Sequence, residues 1–144
     1  MAEIKLKGNA IHTSGELPGV GTDAPDFRLV ATDLSEKSME DYKGKKKVLN
    51  VYPSLDTEVC AMSVKTFHQK LADRDDVVVL NISADLPFAS KRFCAAEGVE
   101  NAEVLSTFRA SFGQDYGLEI VDGPLAGLNS RAVLVVDEND KVVY

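Results

Sequence analysis

An α/β fold built on a mixed sheet is what this 144-residue sequence predicts, from three observations. Two apolar runs, Val48 to Tyr52 and Val77 to Ile82, bracket a stretch with helical spacing, so they read as parallel strands joined by a right-handed helical crossover. A second helical stretch follows, opened by Pro87 and stopped by Gly98. Near the end, Ala132 to Val136 and Lys141 to Tyr144 flank Asp-Glu-Asn-Asp, the pattern of an antiparallel hairpin. Strands alternating with helices and then a hairpin require parallel and antiparallel pairs in one sheet.

The remaining elements follow in order. Glu3 to Leu6 and Ala10 to Thr13 flank Gly8 and Asn9, residue types that favour positive φ, which predicts a short N-terminal hairpin. Gly15, Pro18, Gly19 and Gly21 make a turn-rich connection to a strand over Phe27 to Ala31, and a polar stretch with one Lys-Gly turn leads to Val48. From Thr57 the helical pattern places Cys60, Val64, Phe67 and Leu71 on one inward face, with Lys65, Gln69 and Lys70 off it and Asp56 or Thr57 as N-cap. Asp85 is the expected cap of the helix that Pro87 opens, and that helix carries Cys94. Val104 to Thr107 reads as a short strand, Phe108 to Tyr116 as a helix closed by Gly117, and Val121 to Ser130 as a loop. No internal repeat or linker breaks the chain, so one domain over residues 1–144 is expected.

Composition narrows the function. With 44% hydrophobic and 27% charged residues and no low-complexity tract, the chain has the balance of an ordered globular protein. A formal net charge of -7 argues against a nucleic-acid or anionic-membrane surface, since both draw on excess Lys and Arg. Lys45, Lys46 and Lys47 form the one basic knot, read as a solvated turn before a strand. The first residues carry no long apolar core, so neither a secretory signal nor a membrane span is expected and the cytoplasm is the expected location. Two cysteines in a reducing compartment are rarely a structural staple, which shifts weight to catalytic or sensing roles.

Cys60 falls in the first turn of its helix. Unpaired backbone N–H groups and the positive end of the helix dipole gather there, and they favour a thiolate. Read on spacing alone, a small buried cysteine at the end of an amphipathic helix fits as well.

Pro53, Thr57 and Cys60 spell P-x-x-x-T-x-x-C, which resembles the peroxiredoxin active-site signature. The surrounding KKVLNVYPSLDTEVCAMSV is closely similar to the thiol peroxidase branch of that family, and the likeness runs on from GTDAPDFRLV to RAVLVVDENDKVV. The resemblance implies a thioredoxin-like fold with a mixed central sheet, flanking helices and an N-terminal β-hairpin. It also implies a further helix after the last hairpin strand, whereas this sequence ends at Tyr144, so a domain lacking that C-terminal helix is expected. In the implied chemistry a Cys60 thiolate reduces a peroxide, with Thr57 donating a hydrogen bond, Pro53 shielding the sulfur and Arg131 matching the family's active-site arginine. Spacing alone does not choose among Arg28, Arg74, Arg92, Arg109 and Arg131. Cys94 resembles the resolving position of the atypical two-Cys members, which would condense with a Cys60 sulfenic acid to a disulfide. The two Cα atoms are expected beyond the disulfide limit of about 7 Å in the reduced state, so local unfolding would accompany turnover. No bound cofactor is required, thioredoxin is the implied reductant, and a homodimer is implied by analogy.

Rival chemistries compete for the same residues. A cysteine hydrolase needs a histidine base beside Cys60, yet His68 lies two helical turns on, about 12 Å away by axial rise. His12 has only its residue type in its favour. A zinc site from Cys60, Cys94, His12 and His68 lacks closely spaced ligand pairs. A redox sensor without turnover would use the same two sulfurs, and it would stall after a stoichiometric amount of peroxide.

Overall fold

The computed structural model describes residues 3–6, 9–54, 58–71, 76–98 and 102–144, with only the backbone described at 3–6, 9–10 and 58–60. Among these residues β1 (Glu3–Leu6) and β2 (Asn9–His12) pair as an antiparallel hairpin. The six other strands form one sheet: β3 (Arg28–Ala31), β4 (Glu36–Ser38), β5 (Lys46–Val51), β6 (Val77–Ser83), β7 (Glu103–Ser106) and β8 (Ala132–Val136). Their spatial order is β4-β3-β7-β6-β5-β8. β5, β6 and β7 run parallel, while β8 joins β5, and β3 joins β7 and β4, in antiparallel fashion. The expected mixed sheet with a parallel centre is therefore observed.

Alternation along the strands divides the buried residues between two faces. Leu49 and Val51 of β5, Leu80 and Ile82 of β6, Leu105 of β7 and Leu134 and Val136 of β8 point to one side. There they meet Phe27, Met39, Tyr42, Phe112 and Tyr116, the last two from the short helix α3 (Phe112–Asp115) and the residue that follows it. Phe112 stacks on Tyr116 with ring centroids 4.3 Å apart and takes Phe27 edge-on at 6.1 Å. The other side carries α1 (Glu58–Leu71) against β6 and α2 (Pro87–Glu97) against β7. A smaller cluster of Tyr52, Val64, Cys94 and Val104 fills it, with Phe93 and Ala102 at its margin.

Polar side chains on the α1 side are paired with one another. Asn50 donates from Nδ2 to Asn81 Oδ1 at 3.0 Å and to Ser63 Oγ of α1 at 3.3 Å, and Asn81 Nδ2 donates to the Glu103 carbonyl at 3.0 Å. Both asparagines are buried, so this chain of amides ties β5, β6, β7 and α1 together without leaving those oxygens dry.

Several expectations need correction. The polar stretch before β5 contains β4 and a 3-10 helix (Met39–Tyr42), held by Ser38 N–H and Oγ donating to Asp41 Oδ2 at 2.7 and 3.4 Å. β4 is a three-residue polar edge strand, too short and too charged to show a period of two. Lys47 is not part of a solvated turn: the strand starts at Lys46, and Lys47 is fully buried with Nζ 2.6 Å from Asp140 Oδ1 and 3.1 Å from the Lys45 carbonyl. Of the helix expected over Phe108 to Tyr116 only Phe112–Asp115 forms, because Ala110 N–H returns to the Thr107 carbonyl as a turn. Gly117 does close it, at φ 68°, where a Cβ would collide with the Glu16 carbonyl oxygen. The second arm of the last hairpin is held by a bridge between Val136 and Val142 and by Val143 N–H on the Val135 carbonyl, not by a full strand. Asn9, assigned to the first turn, lies in β2 opposite Leu6, and Gly8 lies outside the described residues.

Candidate active site

The parallel strands β5, β6 and β7 all end on the same rim of the sheet, where open α/β sheets present their ligand crevices. Val51 ends β5, and Tyr52 N–H still bonds the Ile82 carbonyl at 3.1 Å. Pro53 then turns the chain out of the sheet, half-buried and offering no donor to the ladder. α1 begins at Glu58, so the backbone of Cys60 is in its first turn, as the spacing predicted. Thr57 and the proposed cap Asp56 lie outside the described residues. Val64, one turn after Cys60, is completely buried, Phe67 and Leu71 are half-buried, and Gln69 and Lys70 are exposed, so the inward face of α1 is the expected one.

β8 runs against β5 with Ala132 opposite Val51, which brings the backbone of Arg131 to this rim beside the end of β5. Arg131 is exposed. Arg109 pairs instead with Glu36 at 3.3 Å, and Arg28 sits at the start of β3 on the far side of β7 and β6. Arg74 lies outside the described residues.

Cys94 is buried on α2, in the same cluster as Val64 of α1. The helix that carries it opens with Pro87 and ends at Gly98 in the left-handed region, φ 71°. Asp85 is not its cap. The N-cap is Leu86, with no side-chain bond, and the Asp85 carboxylate is engaged elsewhere: Ser83 Oγ and Ser54 Oγ each donate to it at 2.7 Å. α1 and α2 are further joined by Lys65 Nζ on Glu97 Oε1 at 3.2 Å, a half-exposed pair of small energetic weight.

Residues beyond the sequence-predicted set also meet at this rim. Thr107 N–H donates to the Ser83 carbonyl at 2.8 Å, and Asn129 Nδ2 donates to Thr107 Oγ1 at 3.3 Å, so the segment leading into Arg131 is tied to the ends of β6 and β7. Asp85 was legible only as a cap, and Ser54 drew no reading. His12 sits at the end of the N-terminal hairpin, with Nδ1 2.6 Å from Asp122 Oδ2. Bonds from the His12 ring and backbone hold the Asp122 carboxyl below its ordinary value. His68 stays on α1, half-buried.

A mixed sheet with a cysteine at the helix N-terminus after β5, and a second on the next helix, defines a thiol-based protein of thioredoxin-like architecture. Comparison with known proteins agrees. Residues 19–144 match the Redoxin family. Over all 144 residues the chain is 53% identical to a thiol peroxidase of Mycobacterium tuberculosis and spans 87% of it. It is 51% identical to a thiol peroxidase of Corynebacterium glutamicum, again with 87% of that protein covered. Among solved structures, a peroxiredoxin-like protein from Aquifex aeolicus superposes with a TM-score of 0.93 at 39% identity, over 99% of this chain and 83% of the other. The chain belongs to the Redoxin family, and within it to the thiol peroxidases, enzymes of the peroxiredoxin class. Among the described residues no helix is long and apolar enough to cross a membrane.

Proposed function

We propose that this enzyme reduces hydrogen peroxide and organic hydroperoxides through a sulfenic acid on Cys60 that Cys94 resolves as an intramolecular disulfide. The thiolate attacks one peroxide oxygen, the O–O bond breaks, and the departing oxygen leaves as water or alcohol after taking up a proton. Cys94 then attacks the Cys60 sulfur and displaces water, leaving a disulfide that a dithiol protein, thioredoxin, returns to two thiols. In this reading Thr57 donates to the reacting atoms, Arg131 stabilises the thiolate and the developing oxyanion, and Pro53 screens the sulfur from water. The chain acts as one thioredoxin-like domain in the cytoplasm, as a homodimer and without a bound cofactor.

One observation carries this most directly. Val64 and Cys94 share a buried cluster, and the backbone of Cys60 stands one turn before Val64 in α1. Partial parting of α1 and α2 would let the two sulfurs meet. The test is a pair of variants under steady-state peroxide consumption with a thioredoxin system. Cys60→Ser abolishes turnover, since an alcohol is not ionised at neutral pH. Cys94→Ser consumes one equivalent, leaves a trappable sulfenic acid and then stops. Full multi-turnover activity with thioredoxin in the Cys94→Ser variant refutes the resolving role.

A further inference from the structure

We propose that Asp85 is a positioning residue for the peroxide step: its carboxylate, gripping Ser54 and Ser83 together, fixes the direction in which the chain leaves the sheet toward Cys60. This rests on the reading of Cys60 as the reacting sulfur. Asp85 is half-buried in the connection between β6 and α2. One oxygen accepts from Ser83 Oγ at 2.7 Å, and Asp85 N–H returns to that hydroxyl at 3.3 Å, a local turn of the ordinary kind. The other oxygen accepts from Ser54 Oγ at 2.7 Å, across 31 positions of sequence. No local turn requires that second bond.

The place of Ser54 gives the bond its consequence. The β5 ladder closes with Val51 and the Tyr52 N–H, so Ser54 stands just past the last residue held by the sheet. It lies within P-x-x-x-T-x-x-C, immediately after Pro53 and six positions before Cys60. Ser83, the fixed end of the clamp, is completely buried, and its carbonyl is bound by Thr107 N–H. A hydroxyl bound to a carboxylate at this length is a charge-assisted bond, stronger than a neutral one. One side chain thereby references the loop that enters α1 to the loop that opens α2, the two helices that bear Cys60 and Cys94.

Single-turnover mixing of the reduced full chain with hydrogen peroxide separates the two chemical steps. Dimedone trapping reads sulfenic acid formation, and mass analysis of acid-quenched samples reads disulfide formation. Ser54→Ala slows the peroxide step by about 10-fold, the order expected from a small misplacement of a reacting group. The disulfide step is not slowed, Ser54→Thr restores the peroxide rate to near that of the parent, and Asp85→Asn, which keeps one acceptor oxygen, falls between. A wild-type peroxide rate in Ser54→Ala overturns the proposal. So does equal slowing of both steps, which is general loosening, or failure of Ser54→Thr to rescue. A Cys60→Ser variant that still consumes peroxide sinks the underlying reading instead, whatever Ser54 does.

Discussion

Asn50→Ala tests the amide chain that docks α1 on the sheet. Asn50 and Asn81 are each 2% exposed, so water does not replace what the truncation removes. Two donor bonds disappear, one of 3.0 Å to Asn81 and one of 3.3 Å to Ser63, worth about 1 kcal/mol for the shorter and less for the longer. Asn81 Oδ1 is then left buried without that donor, which adds about 1–3 kcal/mol. The sum is about 2–4 kcal/mol. At an unfolding entropy of about 2 cal/mol/K per residue, a loss of about 3 kcal/mol lowers Tm by about 10 °C for a chain of this length. Urea unfolding followed by circular dichroism measures the loss, with an unchanged m-value as the check on two-state behaviour. Asn81→Ala, alone and combined with Asn50→Ala, completes a double-mutant cycle. Because removing both amides orphans fewer groups than the two single variants do together, the double variant should lose about 1 kcal/mol less than the sum of the singles. Strict additivity, or an Asn50→Ala variant within 0.5 kcal/mol of the parent, a margin of about the size of ordinary surface substitutions, would refute the reasoning.

Three further outcomes are expected. Asp140→Asn weakens the grip on buried Lys47, and because the Asp140 side chain is 42% exposed the loss is about 1–2 kcal/mol, below that for a fully buried pair; a denaturation midpoint equal to the parent's would count against it. Arg131→Met lowers the second-order rate constant with peroxide by about 10²-fold and Arg131→Lys recovers only part, as stopped-flow mixing would show; a Met variant within twofold of the parent removes Arg131 from the site. The Asp122 carboxyl is held below its ordinary value of 3.8 by His12, so its contribution to stability is present above that pH and fades as pH falls through the lower folded value. Asp122→Asn should therefore be less stable than the parent at neutral pH, and a gap that does not narrow as pH falls below 3.8 would contradict the linkage.

The parts of the fold legible in the sequence were those whose pattern is set by burial on both sides. Val77 to Ile82 is apolar but for Asn81 because helices or side chains cover both faces of β6, and its parallel pairing with β5 followed from the amphipathic stretch between them. Gly98 and Gly117 announced helix ends because both take positive φ. β4 escaped notice because an edge strand of Glu, Lys and Ser has no apolar side to display, and buried Lys47 because its partner Asp140 is distant in sequence. The candidate site was legible where its backbone is local, in the end of β5 before Pro53 and the first turn of α1 at Cys60. Asp85 was misread because an acidic residue before a helix-opening proline looks like a cap, and only the fold brings Ser54 to it.

The two faces of the sheet are unequal in a way that bears on motion. Among the described residues, seventeen buried side chains knit together on the α3 side and four on the side of α1 and α2. Among the described residues, cohesion thus resides on the face opposite α1 and α2. Peeling either cysteine-bearing helix away would forfeit little of what keeps the protein whole, so amide hydrogen exchange should resolve two tiers, a slow one along β5 and β6 and a faster one in α1 and α2. In the proposed disulfide cycle, such lopsided anchoring would let α1 and α2 part while the rest of the sheet stays folded.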